Sequence, residues 1–439
     1  MEVRDILHGA IEIDRPILRI VDSKAFQRLR QIRQLGFSEN SFPSATHSRF
    51  IHSIGAMHLA RMALHTIFES AEKNRHTQKL KLSQEDRKRF GTLTQAAALL
   101  HDIGHGPLSH TIEFAMPSSK ALGIPGPERR ASHEDYTLQF ILNSSLTHLL
   151  NEEGKPYGWN AEHVAALIDG TRLETDGFFQ CETELGSSDI RPLLSQLISS
   201  ELDVDRMDYL RRDALYTGVS YGNFDSDWLI RNLTYHIQDG AVFLALDQRS
   251  LYTFEDFLLS RYHMFLMVYF HHKSIVYDEM LKKYFESAPE EYRIPADIEH
   301  YAELTDIHLF SHLAQSKNEW AKRIIDRSPY TRLTETHHFH HDADGAQWIE
   351  HVEHALNELN IPYLRAESTG DLSKYYNAQN QLPSIFVRNT NHIHPARFLP
   401  VEDCTDLFRK YEDSRKIRRL YIPQEDLKRA KSMLSEVTQ

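Results

Sequence analysis

From His101 to His110 the chain reads His-Asp-Ile-Gly-His-Gly-Pro-Leu-Ser-His, which puts three imidazoles and a carboxylate in ten residues. The run before it, Gln95-Ala96-Ala97-Ala98-Leu99-Leu100, has the composition of a buried helix. Packing alone gives no reason for such a helix to end in His-Asp, because both side chains are costly to bury without partners. A metal centre does give one: neutral imidazole and ionised carboxylate are donors for a borderline or hard divalent cation. One helical turn separates His101 from His105, so both project from the same side. Gly104, Gly106 and Pro107 then break the helix and turn the chain toward His110.

His101-Asp102 supplies two ligands, and a mononuclear site needs more. His52, in Arg49-Phe50-Ile51-His52-Ser53-Ile54-Gly55, stands at the start of an amphipathic helix pattern. Further along, Leu202 to Asp213 packs Asp203, Asp205, Asp208 and Asp213 into one helical stretch. At least one of these acids must face inward, and Asp203 and Asp205 compete for that place.

The elements that must position these groups are mostly helices. Apolar spacing predicts helices over Asp22–Ile32, Ser53–Glu69, Ser132–Leu150, Gly158–Gly170, Leu193–Tyr216 and Thr253–Phe285. Thr253 with Asp256 sits at capping-box distance, and Ser83 followed by Asp86 marks another helix start. Pro117 to Pro127, with Gly123 and Gly126, reads as a loop. The tail differs. Ile361–Arg365, Pro383–Arg388, Arg397–Pro400 and Arg418–Ile422 are short and strand-like, with helical patterns at Ala346–Leu359 and Thr405–Glu412 between them. The chain is therefore expected to be mainly α, with a helical domain over 1–300 and a small α+β C-terminal domain over 301–439. Within the first, the metal core spans roughly 45–220 and a helical extension 221–300.

Composition narrows the classes. With 439 residues, 41% hydrophobic and 26% charged, the chain is an ordinary globular protein longer than one typical domain. Its longest apolar run, around His263 to Phe270, is too short to cross a bilayer, so no membrane partner is expected. Met1-Glu2-Val3-Arg4-Asp5 lacks the layout of a signal peptide. Cys181 and Cys404 cannot form a disulfide framework, so a reducing cytoplasm is the expected location. A net charge of −12 disfavours general nucleic-acid binding but leaves room for a local basic pocket. The histidines of His337–His341, beside Asp342, and of Asn391–His394 read as solvated turns. Arg409 to Arg419 reads as a solvated helix face.

The ordered set of His52, His101-Asp102 and the aspartates after Leu202 resembles the HD phosphohydrolases, whose pattern is His…His-Asp…Asp. Gln34-Leu35-Gly36, Phe42-Pro43, His47, Arg49-Phe50 and His52-Ser53 narrow the resemblance. They are similar to the substrate segment of the HD-domain deoxynucleoside triphosphate triphosphohydrolases, a family that includes dGTPases. The likeness covers roughly residues 1–285. It implies a helical HD bundle in which His52, His101, Asp102 and Asp205 hold the metal. Two His and two Asp suit Zn, Fe, Mn, Ni or Mg alike.

The resemblance also implies the chemistry. Such a metal polarises a phosphoryl oxygen and lowers the pKa of bound water. The departing 5′-oxygen needs a proton, and His110, three residues before Glu113 and able to pair with it, is assigned as the general acid. His105 and His133 fall on positions that line the α-phosphate. Arg49, Arg206 and Arg261 resemble phosphate contacts, with Arg206 where a metazoan relative has lysine. Tyr209, Asp213 and Gln34 resemble groups that hold the sugar 3′-hydroxyl. Leu35 and Tyr269 resemble those that crowd the 2′ position and so favour a deoxynucleotide. His8-Gly9 with Asp22, Gln27 and Arg30 resembles an allosteric guanine-nucleotide activator site, although Arg4 departs from the asparagine found there. A homodimer or homotetramer is implied as well. Two other readings remain: an HD hydrolase of a monophosphate, cyclic nucleotide or alarmone, and a nucleotide sensor without turnover.

Overall fold

Ser83 opens the helix that leads into the His-Asp pair, and it does so as its spacing predicts. Its hydroxyl accepts the Asp86 N–H while the Asp86 carboxylate reaches back to the Ser83 N–H. The helix runs Gln84–Leu100, and from Phe90 onward nearly every residue but Gly91 is buried. The computed structural model describes residues 1–73, 79–169, 177–338, 344–370, 385–389, 397–407 and 415–437. Against this central helix pack Arg49–Lys73 and Ala161–Ile168, and Arg49–Lys73 packs in turn on Val204–Thr217. Two of these helices meet closely at Gly55: a Cβ there would lie 2.0 Å from Oδ1 of Asp208. The protein is mainly α, with a smaller α+β part.

Several expected helices are shorter than their patterns. Asp22–Ile32 resolves into Lys24–Gln27 and a tight turn over Arg28–Gln31. Ser132–Leu150 breaks at Ser144, whose hydroxyl caps the second half. Leu193–Tyr216 breaks over Ser199–Asp203 into Arg191–Ile198 and Val204–Thr217. Thr253–Phe285 is not one helix, and Thr253 does not cap it. Helix Leu251–Met264 passes into a wide π turn, Phe265–Tyr269, and a new helix starts at His272 and ends at Ser287. Apolar periodicity continues across such breaks because both halves pack on the same core.

The first 290 residues also hold strands that their composition did not announce. Glu2–Asp5 pairs with Gly9–Glu12 as an N-terminal hairpin. Leu233–Gln238 pairs with Ala241–Asp247 through a two-residue turn, Asp239-Gly240, with φ of 51° and 73°. Both positive angles fit a type I′ hairpin turn. Ala241–Asp247 lies at the centre of a six-stranded sheet, with Phe386–Asn389 parallel to it from the tail.

The expected tail strands are present where they are described: Leu364–Gly370, Phe386–Asn389, Arg397–Pro400 and Arg415–Ile422. The last lies between Thr331–His338 and Leu364–Gly370 in an antiparallel sheet. Its alternating side chains divide between two cores. Leu420 and Ile422 join Ile349, Val352 and Leu356 of helix Asp344–Glu358, whereas Tyr421 belongs to the main core and donates to His272 O at 2.9 Å. Most of Thr405–Glu412, all of Asn391–His394 and part of His337–Asp342 and Arg409–Arg419 lie outside the described residues. Among the described residues no helix is long and apolar enough to cross a membrane.

Candidate metal centre

His52, His101, Asp102 and Asp205 converge, and one donor atom from each lies within 4.8 Å of the others. Nε2 of His52 is 3.0 Å from Asp205 Oδ1 and 3.4 Å from Asp102 Oδ2. Nε2 of His101 is 3.3 Å from Asp205 Oδ1 and 3.5 Å from Asp102 Oδ1. Donors bound about 2.1 Å from one cation stand about 3 to 3.5 Å apart, the separation seen here. Both Nε2 atoms are buried and make no hydrogen bond. The opposite ring nitrogens are committed elsewhere. His101 Nδ1 donates to Ala98 O at 2.8 Å, and His52 Nδ1 meets Asp208 Oδ2 at 2.9 Å. Each ring therefore turns a lone pair inward, as a metal-binding histidine does. These residues fit a divalent cation.

The electrostatics agree. Burial would lower both imidazoles, yet Asp102 and Asp205 push His101 up to about 9, and Asp102, Asp205 and Asp208 hold His52 well above its ordinary value. Burial would raise Asp205, but His101 and His52 hold it down. The two carboxylates thus draw positive charge toward both Nε2 atoms, a place that a proton or a divalent cation can take.

The choice between the two competing aspartates follows from helix Val204–Thr217. Asp203 is its N-cap, in extended conformation, and accepts the Arg206 N–H at 2.8 Å and the Arg206 guanidinium at 2.6 Å. Asp205, in the first turn, is the one that faces His52 and His101.

A second cluster adjoins the first. Nε2 of His105 is 3.3 Å from Asp102 Oδ1, and its ring stacks on His133 at 3.9 Å between centroids. His110 Nδ1 and His133 Nδ1 both meet Glu113 Oε1, at 2.7 and 2.6 Å. Burial would raise Glu113, but these two bonds hold it down to about 2. Burial, with Arg49 and His133 nearby, holds His105 well below its ordinary value. The donors of this cluster also lie within 4.8 Å of one another, but two of its rings turn Nδ1 toward a shared carboxylate. That geometry orients an imidazole for proton transfer.

Arg49 pairs with Asp102 and donates to Ser109 Oγ at 2.7 Å. Arg206 and Arg261 are buried, Arg206 against Asp203 and Arg261 3.6 Å from Glu201. The Tyr209 ring lies 6.4 Å from His52 and 6.2 Å from Tyr269. The π turn brings the Tyr269 hydroxyl to Asp213 Oδ2 at 2.8 Å, and His47 Nε2 meets the other oxygen at 2.7 Å. Gln34 is buried, with Oε1 making no hydrogen bond, and Leu35 packs beside it on the core. Asp22, Gln27 and Arg30 are not among the converging donors. Arg30 donates to Gln27 at 2.7 Å and stacks over Phe50 at 3.5 Å, while Asp22 is exposed.

Residues without an expected part in the metal centre complete the support. Asp208 takes His52, His8 at 2.6 Å and Arg212 at 2.7 Å, and Arg212 continues to Asp5 at 2.8 Å. The N-terminal hairpin is therefore tied to a metal donor.

Comparison with known proteins agrees with the geometry. Residues 49–213 match the HD domain and residues 224–361 the HD associated region, so two adjoining models cover most of the chain. Residues 49–213 thus carry an HD domain, and the associated region of such domains follows it directly. An uncharacterized protein of Methanocaldococcus jannaschii is 30% identical over 331 residues, 75% of this chain and 59% of that one. The human deoxynucleoside triphosphate triphosphohydrolase SAMHD1 is 28% identical over 361 residues, 75% of this chain and 54% of that one. The chain thus spans little more than half the length of these two relatives. A crystal structure of a hypothetical protein from Aquifex aeolicus superposes with a TM-score of 0.73 at 27% identity, covering 99% of each chain.

Proposed function

We propose that the protein hydrolyses deoxynucleoside triphosphates at the α-phosphorus and releases deoxynucleoside and inorganic triphosphate. The observation that carries this reading is the abutment of the two clusters. Four donors for a cation share Asp102 with the His105–His133–Glu113–His110 group, and Arg49 closes one side. A divalent cation held by His52, His101, Asp102 and Asp205 would supply Lewis acidity to the phosphoryl oxygen and acidify water for attack. Water adds to phosphorus as the bond to O5′ breaks. His110, its Nδ1 held by Glu113, delivers the proton from Nε2 to the leaving O5′. His105 and His133 line the phosphate, while Tyr209, Asp213, Gln34, Leu35 and Tyr269 form the sugar side. Identity to the human triphosphohydrolase supports the substrate class, and activation by a guanine nucleotide and assembly as a homodimer or homotetramer belong to the same reading.

One observation favours a smaller substrate: Arg206 and Arg261 already have carboxylate neighbours, which leaves less free positive charge for a polyphosphate. An HD hydrolase of a nucleoside monophosphate would be almost indifferent to Arg206→Ala, whereas a triphosphatase would lose substrate affinity. Product analysis with dGTP and the other dNTPs, each with and without GTP, tests the main reading. Inorganic triphosphate supports it, and monophosphate with pyrophosphate, or no turnover with any metal, rejects it.

A further inference from the structure

Leu108 and Ser109 both have φ of 58°, in the left-handed region. Residues with a side chain hold such angles only where their surroundings impose them. Here the constraint comes from a residue almost two hundred positions away. Asp306, the buried first residue of helix Asp306–Gln315, accepts the Leu108 N–H with Oδ1 at 2.7 Å and the Arg33 N–H with Oδ2 at 2.9 Å. The Ser109 hydroxyl donates to Arg33 O at 2.6 Å, which closes the junction. One carboxylate thus joins the strand of chain entering Gln34-Leu35 to the turn that launches Ser109–Ala115, which carries His110 and Glu113. Neighbouring residues grip the same loop: the Tyr301 hydroxyl donates to Gly104 O at 2.7 Å, and Arg28 bridges Leu304 O and Ile103 O. Hydrogen bonds from N–H to a carboxylate are charge-assisted and therefore strong.

We propose that Asp306 is a positioning residue, which holds the Leu108-Ser109 turn so that His110 faces the oxygen it protonates. This rests on the reading of His110 as proton donor given above. Without the carboxylate, Leu108 and Ser109 relax toward ordinary φ and His110 swings away. The metal donors keep their own supports, Asp208 for His52 and Ala98 O for His101. The loss therefore falls on reactions whose leaving oxygen needs a proton and spares those whose leaving group departs as a stable anion.

Asp306→Ala and Asp306→Asn in the full chain test this, with dGTP and bis(p-nitrophenyl) phosphate as paired substrates. For Asp306→Ala the kcat on dGTP should fall about tenfold to a hundredfold, with KM little changed, as expected when a catalytic group is displaced by about 1 Å. The nitrophenolate-releasing reaction should change by less than about twofold, because it needs little acid assistance. Bound metal should be unchanged, and amide exchange over residues 106–113 should accelerate. Asp306→Asn, which keeps one acceptor, should fall between, and it carries the comparison if the alanine variant does not fold. Equal loss on both substrates, loss of metal, or unchanged exchange over 106–113 overturns the proposal. A wild-type protein that cleaves the nitrophenyl ester but no dNTP sinks the substrate reading instead, and the exchange measurement still decides the role of Asp306.

Discussion

Asp203 and Asp205 stand two positions apart and serve opposite purposes. Asp205→Ala removes a donor from the cation and should abolish bound metal, with activity falling at least about a hundredfold, as metal analysis and initial rates would show. Asp203→Ala leaves the four donors intact but strips a helix cap and the partner of buried Arg206. It should keep the metal and cost about 1–3 kcal/mol in denaturant unfolding. Glu113 gives a prediction in pH. Its folded pKa of about 2 lies below the ordinary 4.5, so its stabilising contribution is full above 4.5 and is lost as pH falls toward 2. Glu113→Gln should flatten the acid limb of the stability curve over that window and lower kcat, since the acceptor shared by His110 and His133 loses its negative charge. The His-Asp pair was legible because its residues are adjacent and sit at a helix end. The choice of Asp205 was not legible from pattern. It depends on the extended backbone of Asp203, which turns that side chain back onto Arg206. Asp208 was visible only as one of four clustered aspartates, and Asp306 gave no signal, because each acts on residues far away in sequence.

Among elements, the contact of Arg49–Lys73 with Val204–Thr217 sets the metal geometry. Gly55→Ala would press a methyl group into Asp208, the carboxylate that orients His52. Overpacking of this kind costs about 1–3 kcal/mol or more. The variant should therefore bind metal more weakly as well as melt earlier, which a titration with Co(II) followed by absorbance would reveal. Helix Gln84–Leu100 was readable from Ser83 and Asp86 because a capping box is local chemistry. The long pattern from Thr253 hid a break, since periodicity records which side faces the core and not whether the backbone is continuous. That break matters, because the π turn is what carries Tyr269 to Asp213, and such turns are frequent at functional sites. The hairpin at Asp239-Gly240 did have a readable signal, an Asp-Gly pair between two apolar runs.

At the scale of the whole molecule, the HD associated region packs against the loop that carries His105 and His110. Tyr301 stacks on Tyr136 at 3.8 Å, and Asp306 reaches the His110 loop. A chain cut after residue 300 should lose soluble expression or cooperative melting, which differential scanning calorimetry beside the full chain would show. A chelator should lower the melting temperature of the intact protein, because a ligand at a hundred times its Kd adds about 2.7 kcal/mol. Composition foresaw a helical body and a mixed tail, but not that Leu364, Ile385, Val387 and Tyr421 of the tail would enter the main core. The parallel pairing of Phe386–Asn389 with Ala241–Asp247, fixed by Arg388 on Asp247 at 2.6 Å, has a consequence for biosynthesis. Until residue 389 has left the ribosome, the inner strand exposes an open, largely apolar edge to any other nascent chain. Growth at high expression rates should therefore favour inclusion bodies, and slowed translation or chaperone supply should recover the native fold.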